Sequence, residues 1–173
     1  MNLPAAILVG VTGRVVHVKV QGKGSFQTSP AFKEFAKEMF DRGFREFSID
    51  LTDCTVMDST FMGTLAGAAL RLREVGGALV VKNANRRNFD LLRNLGLHNV
   101  FDVRTSPEEA NLTDDPLQSA LEIEGSLSRS EHAACIIEAH EALVDADPEN
   151  LARFKDVLDY LKQDLRVGVT ASK

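Results

Sequence analysis

The first 105 residues alternate between short β-branched runs and longer stretches of helical periodicity, and that alternation restricts the chain to an α/β architecture. Ala5–Val11 and Val15–Val20 read as two strands joined by the turn Thr12-Gly13-Arg14. In the second, Val16, Val18 and Val20 alternate with His17, Lys19 and Gln21, so one face is wet and His17 reads as a solvated strand residue. Residues 21–29 read as a loop, with Thr28 or Ser29 capping a helix and Pro30 in its first turn. Phe32, Phe35, Ala36, Met39 and Phe40 then recur at helical spacing and make a phenylalanine-rich inner face. Phe47–Leu51 is a strand, and Thr60–Val75 a helix with Leu65, Ala68, Ala69 and Leu72 turned inward. Gly76-Gly77 stops that helix. Ala78–Lys82 is apolar enough for a strand covered on both faces, Arg86–Leu95 is a helix, and Asn99–Val103 a last strand. The predicted order is β-β-α-β-α-β-α-β, with an antiparallel opening hairpin and parallel pairing across the later helical crossovers. A mixed sheet of four to five strands with helices packed on it follows.

Beyond Thr113 the chain changes character. Residues 1–113 carry 14 basic and 12 acidic side chains, net +2, whereas residues 114–173 carry 6 and 13, net −7. The predicted division is therefore a domain over 1–113, a linker over 114–128 with a short helix around Leu117–Ile123, and a helical hairpin over 129–173. Ser128 or Ser130 caps the first hairpin helix, which runs to about Val144; Asp147 caps the second, with Pro148 at its first position. Leu151, Phe154, Leu158, Leu161 and Leu165 form a narrow apolar seam at 3, 4, 3, 4 spacing. Two heptads are too few for a free coiled coil, so the hairpin must dock on the front domain, on a second copy or on a partner.

Several function classes are disfavoured. The net charge of −5 argues against a nucleic-acid partner, which needs a concentrated positive field. The apolar run Leu3–Val11 is too short to span a membrane or serve as a signal peptide, and the expected location is cytoplasmic. Cys54 and Cys135 are too few for a disulfide framework or a four-cysteine zinc site, and each reads as a small buried hydrophobe. His17, His98, His132 and His140 are scattered; His132 and His140 share a helix face without a carboxylate ligand and read as surface residues, so no metal or other cofactor is expected. Gln21-Gly22-Lys23-Gly24-Ser25 partly resembles a P-loop, but His17 stands where the upstream glycine would have to be. No catalytic constellation emerges, and an enzyme is disfavoured.

The junction Leu51–Leu65 carries the most information. A strand runs into a short loop, and Asp58-Ser59 opens a helix. Either residue serves as an N-cap; a hydroxyl there also lies beside free backbone N–H groups and the positive end of the helix dipole, where a phosphate is favoured. The segment Asp58-Ser59-Thr60-Phe61-Met62-Gly63 resembles the D-S-S-G-[LM]-G signature of STAS domains, particularly bacterial anti-sigma factor antagonists. Gly76-Gly77, the strand Ala78–Lys82 and the stretch Arg86–Leu97 are similar to that family as well, so the resemblance covers roughly residues 5–112 and leaves the acidic tail unmatched.

The resemblance implies a STAS-like fold and a regulatory module rather than an enzyme. It implies Ser59 as phosphorylation site, with Thr60 as alternative, an anti-sigma factor kinase as partner, and a PPM-type phosphatase that restores the unmodified serine. The implied docking surface is the loop and exposed first turns of the helix: Thr55, Met57, Asp58, Ser59, Thr60, Met62 and Gly63. Two departures stand out. Phe61 replaces the glycine where the family keeps close approach to a partner, and Gln21–Phe26 lacks the acidic residues of the family's G-E-L-D. The alternative reading is an unphosphorylated scaffold or a homodimer formed through the C-terminal helices. A small-ligand carrier with a sheet-edge pocket ranks last.

Overall fold

The computed structural model describes residues 4–105, 119–121 and 127–171, with side chains to residue 166. Strands β1 (Ala6–Thr12) and β2 (Val15–Gly24) form the predicted antiparallel hairpin, turning at Gly13 with φ +59°. Helix α1 (Ser29–Asp41) and strand β3 (Glu46–Asp50) follow, then β4 (Cys54–Met57), α2 (Ser59–Glu74), β5 (Ala78–Lys82) and α3 (Arg86–Asn94). A 3-10 turn at Leu97–Asn99 leads to β6 (Asp102–Val103), and β7 is Ser119–Ala120. Helices α4 (Arg129–Ala146) and α5 (Asn150–Ala171) close the chain.

The main path through the sheet is β6-β5-β3-β2-β1-β7, with β4 beside the end of β2. The β2–β3, β3–β5 and β5–β6 pairs are parallel; β1 pairs antiparallel with both β2 and β7. Register puts Val16 beside Phe47 and Val18 beside Ile49, then Phe47 beside Leu79 and Ile49 beside Val81. All six are buried, so alternate residues of three neighbouring strands supply one continuous core face.

Four local expectations are corrected. Residues 21–24 are strand rather than loop, because Gly22–Gly24 pair with Cys54–Met57 across a register shift. That long-range pairing replaces the apolar alternation the glycines cannot show. Strand β5 is covered on one face, with Leu79 and Val81 buried and Val80 only half-buried. The last predicted strand shrinks to two residues because Leu97–Asn99 are wound into the 3-10 turn. Of the linker helix, Ser119 and Ala120 are extended instead, pairing with Val9 and Leu8 at the sheet edge, while 117–118 and 122–123 lie outside the described residues.

The hairpin is packed against the front of the chain. Helix α4 lies on α2 and α5 lies on α4, so α2 is sandwiched between the sheet and α4. Ser128 caps α4 in a full capping box with Glu131. The turn between the helices is pinned by buried Asn150, whose side-chain amide donates to Leu95 O at 2.9 Å and Leu143 O at 2.8 Å. Asp147 accepts from Glu149 N at 3.0 Å, so its carboxylate caps the turn three residues before α5 begins. Along the leucine seam Leu158 is buried and Phe154, Leu161 and Leu165 are half-buried, whereas Leu151, in the first turn of α5, is 50% exposed.

Phe61 departs from expectation in a way that organises the core. Its ring is fully buried and packs on Phe32 of α1, centroids 5.9 Å apart, rather than facing a partner. Gly24 leaves the space: a Cβ there would lie 2.9 Å from Phe61 Cδ1 and 3.1 Å from Met57 Cγ. Gly24→Ala is therefore expected to lower stability by about 1–3 kcal/mol through overpacking. Urea unfolding should show an earlier midpoint at unchanged slope.

Candidate functional site

The site is built around the N-terminus of α2. Asp58 is extended, with φ −91° and ψ 173°, and its two carboxylate oxygens do separate work. Oδ1 accepts from Phe61 N at 2.8 Å and caps the helix; Oδ2 accepts from Phe26 N at 2.8 Å, from the turn that precedes α1. The Asp58 amide itself donates to Gly24 O at 2.9 Å. That turn is internally braced. Ser25 N donates to Thr28 Oγ1 at 3.0 Å, and the Thr28 and Ser29 hydroxyls donate to Ser25 O at 3.1 and 2.8 Å. Thr28 and Ser29 thus bond to the turn; neither makes the side-chain cap to α1 that its position suggests.

The loop entering the site is held from three sides. Asn85 and buried Asn88 of the α3 start both donate to Cys54 O, at 3.2 and 3.0 Å, and Asn85 also reaches Thr55 O. Thr55 Oγ1 donates to Gly22 O at 3.1 Å. At the end of β3, Asp50 Oδ1 accepts from Thr52 N, Thr52 Oγ1 and Asn83 Nδ2 at 2.9, 2.6 and 3.1 Å. Burial acts to raise the Asp50 pKa, but these hydrogen bonds and the Lys19 charge outweigh it and hold it below the ordinary value. Burial pushes the thiols of Cys54 and Cys135 up, as for inert packed cysteines. Among the described residues no cluster of three or more histidine, cysteine, aspartate or glutamate side chains could hold a metal ion. No helix there is long and apolar enough to cross a membrane.

Ser59 is the first residue of α2 and is half-buried. Its Oγ lies 3.0 Å from His140 Nε2 on α4, 81 residues away. His140 Nδ1 is 2.7 Å from Ile136 O, which can only accept, so Nδ1 carries a proton. With the neutral ring in that tautomer, Nε2 accepts a hydrogen bond from the Ser59 hydroxyl. The expectation of a surface histidine is corrected: His140 is 3% exposed, with Phe154 of α5 edge-on at 4.8 Å.

The residues assigned to a docking surface are brought together but are not uniformly open. Thr55 is exposed, Asp58 and Ser59 are half-buried, and Met57, Thr60, Met62 and Gly63 are buried. Met57 and Met62 point into the core cluster. Gly63 lies beneath α4, where a Cβ would meet Ala139 O at 2.2 Å; one turn on, a Cβ at Gly67 would sit 3.6 Å from the Cβ of Ala142, three residues further along α4. Thr60 is buried in the same turn, and its backbone carbonyl accepts from Thr64 Oγ1 at 2.9 Å.

Two features escaped sequence reasoning: His140 as a partner of Ser59, and the reception of α4 by Gly63 and Gly67. A signal was present. Phe61, Met62, Leu65, Ala66 and Ala69 make α2 apolar around most of its circumference, as expected of a helix covered on two sides.

Replacing Asp58 by Ala removes both bonds of its carboxylate at once. A loss of about 2–3 kcal/mol is expected, above the usual ~1 kcal/mol for a cap, since the Phe26 amide also loses its acceptor. Asp58→Asn should recover part of it, because one amide oxygen can still cap; chemical denaturation of the three proteins measures the order.

Residues 6–110 match the model of the STAS domain family. The chain is 26% identical over 93 residues to the anti-sigma-B factor antagonist of Bacillus subtilis, covering 54% of this chain and 84% of that protein. It is 29% identical over 96 residues to the anti-sigma-B factor antagonist of Listeria monocytogenes, covering 56% and 84%. The fold is similar to the crystal structure of an anti-sigma factor antagonist from Mycobacterium paratuberculosis, with TM-score 0.56 and 20% identity, over 64% of this chain and 95% of that one. It is similar also to the anti-sigma factor antagonist SpoIIAA in its unphosphorylated form, with TM-score 0.54 and 18% identity, over 61% and 92%. The family match ends before α4 and α5. With its hairpin-led mixed sheet, its Asp58-capped α2 and a match across residues 6–110, the chain belongs to the STAS domain family.

Proposed function

We propose that the protein is an anti-sigma factor antagonist: a non-enzymatic regulator that binds an anti-sigma factor with serine-kinase activity and is switched by phosphorylation of Ser59. The observation that carries the reading is the placement of Ser59 directly after the capping Asp58, at the N-terminus of a 16-residue helix. The sequence relatives named above, both anti-sigma-B factor antagonists, support the general role. In the transfer, the γ-phosphoryl group of ATP passes to Ser59 Oγ, the hydroxyl proton is lost and ADP leaves. The product carries about −1.5 to −2 charges beside free backbone N–H groups, so the helix end tolerates it while the local surface becomes strongly negative. A PPM-type phosphatase would reverse the step. Thr60 is the weaker acceptor, being buried where Ser59 is half-buried. The proposed division remains 1–113 for the switch domain, 114–128 for the linker and 129–173 for the hairpin.

Incubation with ATP and the cognate anti-sigma factor, followed by intact-mass measurement, is expected to add one phosphate, lost in Ser59→Ala and retained in Thr60→Val. Addition to Ser59→Ala as fast as to the parent would remove Ser59 from the mechanism.

Self-association through the hairpin is the second reading, favoured by a specific observation. On α5, Val157 and Tyr160, three residues apart on one side of the helix, are 42% and 65% exposed. If copies pair through this face, Tyr160→Lys together with Val157→Lys should convert a dimer to a monomer in sedimentation velocity. An unaltered sedimentation coefficient excludes α5 as the contact.

A further inference from the structure

We infer that the α4–α5 hairpin is a displaceable cap on the α2 face, occupying in cis the surface on which a partner of the switch domain would dock. The inference rests on the reading of Ser59 and the first turns of α2 as the regulatory surface. Three observations converge on it. The Ser59 hydroxyl is engaged by His140 of α4. The α4 backbone lies so close over Gly63 that no side chain fits between them. Thr60 and Gly63, needed open for docking, are buried while α4 is in place.

The docked contact has a small apolar centre and a charged rim. Leu143 is its fully buried anchor, with Ala133, Ala139 and His140 of α4 buried beside it and no larger side chain of that helix buried than these. Lys33 of α1 pairs with Glu138 of α4 at the surface. Between α1, α2 and α4 runs a groove of about 640 Å³ lined by charges of both signs; the Lys33–Glu138 pair spans it, while Arg71 lies 3.9 Å from Asp41 and Glu141 pairs with Lys162 of α5 at 2.8 Å. Mixed-charge contacts of this kind between parts of one chain permit relative motion, and their long-range attraction weakens with salt.

The consequence is a coupled equilibrium. A partner that binds only the uncapped chain sees its affinity reduced by the uncapped fraction; at about 1% uncapped, the apparent dissociation constant rises about 100-fold. A phosphate on Ser59 acts on the same equilibrium. It removes the hydroxyl proton from the bond to His140 and adds three oxygens and about −1.5 to −2 charges beside the Asp58 carboxylate, in a contact that leaves no room at Gly63. The modified chain therefore favours the open hairpin.

The test fixes the hairpin in place. Gly67 and Ala142 have Cβ positions 3.6 Å apart, within the range a disulfide bridges, so Gly67→Cys with Ala142→Cys staples α2 to α4 in the full chain; Cys135→Ser removes the competing half-buried thiol. Leu143→Asp removes the anchor and biases the chain open, and Ala139→Leu, which overfills the closest approach, serves if Leu143→Asp does not fold. Two readouts are needed. Amide hydrogen exchange across α4 should be at least tenfold slower in the oxidised staple than in its reduced form, and fastest in Leu143→Asp. Equal exchange in oxidised and reduced chains overturns the cap. Phosphate uptake from ATP with the cognate anti-sigma factor should be abolished in the oxidised staple, restored by reduction and faster in Leu143→Asp. Uptake at equal rates in the oxidised and reduced staple also overturns it. Absence of uptake in every variant, Leu143→Asp included, refutes the phosphorylation reading and leaves the exchange experiment to decide the cap.

Discussion

The carboxylate of Asp58 ties the whole front of the molecule together. One oxygen ends α2 and the other holds the turn before α1, so two helices take their positions from a single side chain. A helix N-terminus leaves several amide hydrogens without partners, and a carboxylate satisfies them more strongly than a neutral oxygen. The backbone N–H of the same residue, directly after β4, donates to Gly24 O and ties the start of α2 to the end of β2. Packing then follows from the cap. With α2 entering at this angle, Phe61 falls into the space over Gly24 against Phe32, and the phenylalanine face of α1 finds its counterpart.

Much of this is written in local patterns. The valine alternation of β2, the helical spacing of Phe32–Phe40 and the Asp58-Ser59 helix start correspond to elements in the structure within a few residues. What local patterns could not convey is pairing at a distance. Strand β4 exists because Cys54–Met57 meet a glycine-rich strand end, and β7 because Ser119 and Ala120 meet β1; neither short segment has a periodicity to read. Phe61 misled for a related reason. The family signature has glycine there, and only the absence of a side chain at Gly24, 37 positions earlier, turns the ring inward.

The histidine on α4 illustrates the limit most clearly. His140 lies on a helix with weak amphipathicity, eight residues from a half-buried histidine, and nothing nearby in the chain marks it. Its burial depends on α4 finding α2, on α5 covering it with Phe154, and on Asn150 bonding the hairpin turn to Leu95 O. The uneven charge of the two halves acquires a physical meaning from that arrangement. A front segment of net +2 and a tail of net −7 attract, and Lys33 pairs with Glu138 across the groove between α1 and α4.

Gly63 shows how stability and docking can pull in opposite directions at one position. Within a helix a glycine costs about 1 kcal/mol relative to alanine, so α2 taken alone would be firmer without it. Yet the methyl group that would firm the helix would collide with the backbone of α4. Selection for a more robust sheet-and-helix body at this site would thus release the tail as a side effect. The two halves of the molecule are thermodynamically linked through a missing methyl group, and a variant that resists heat better need not be one that keeps its two parts together.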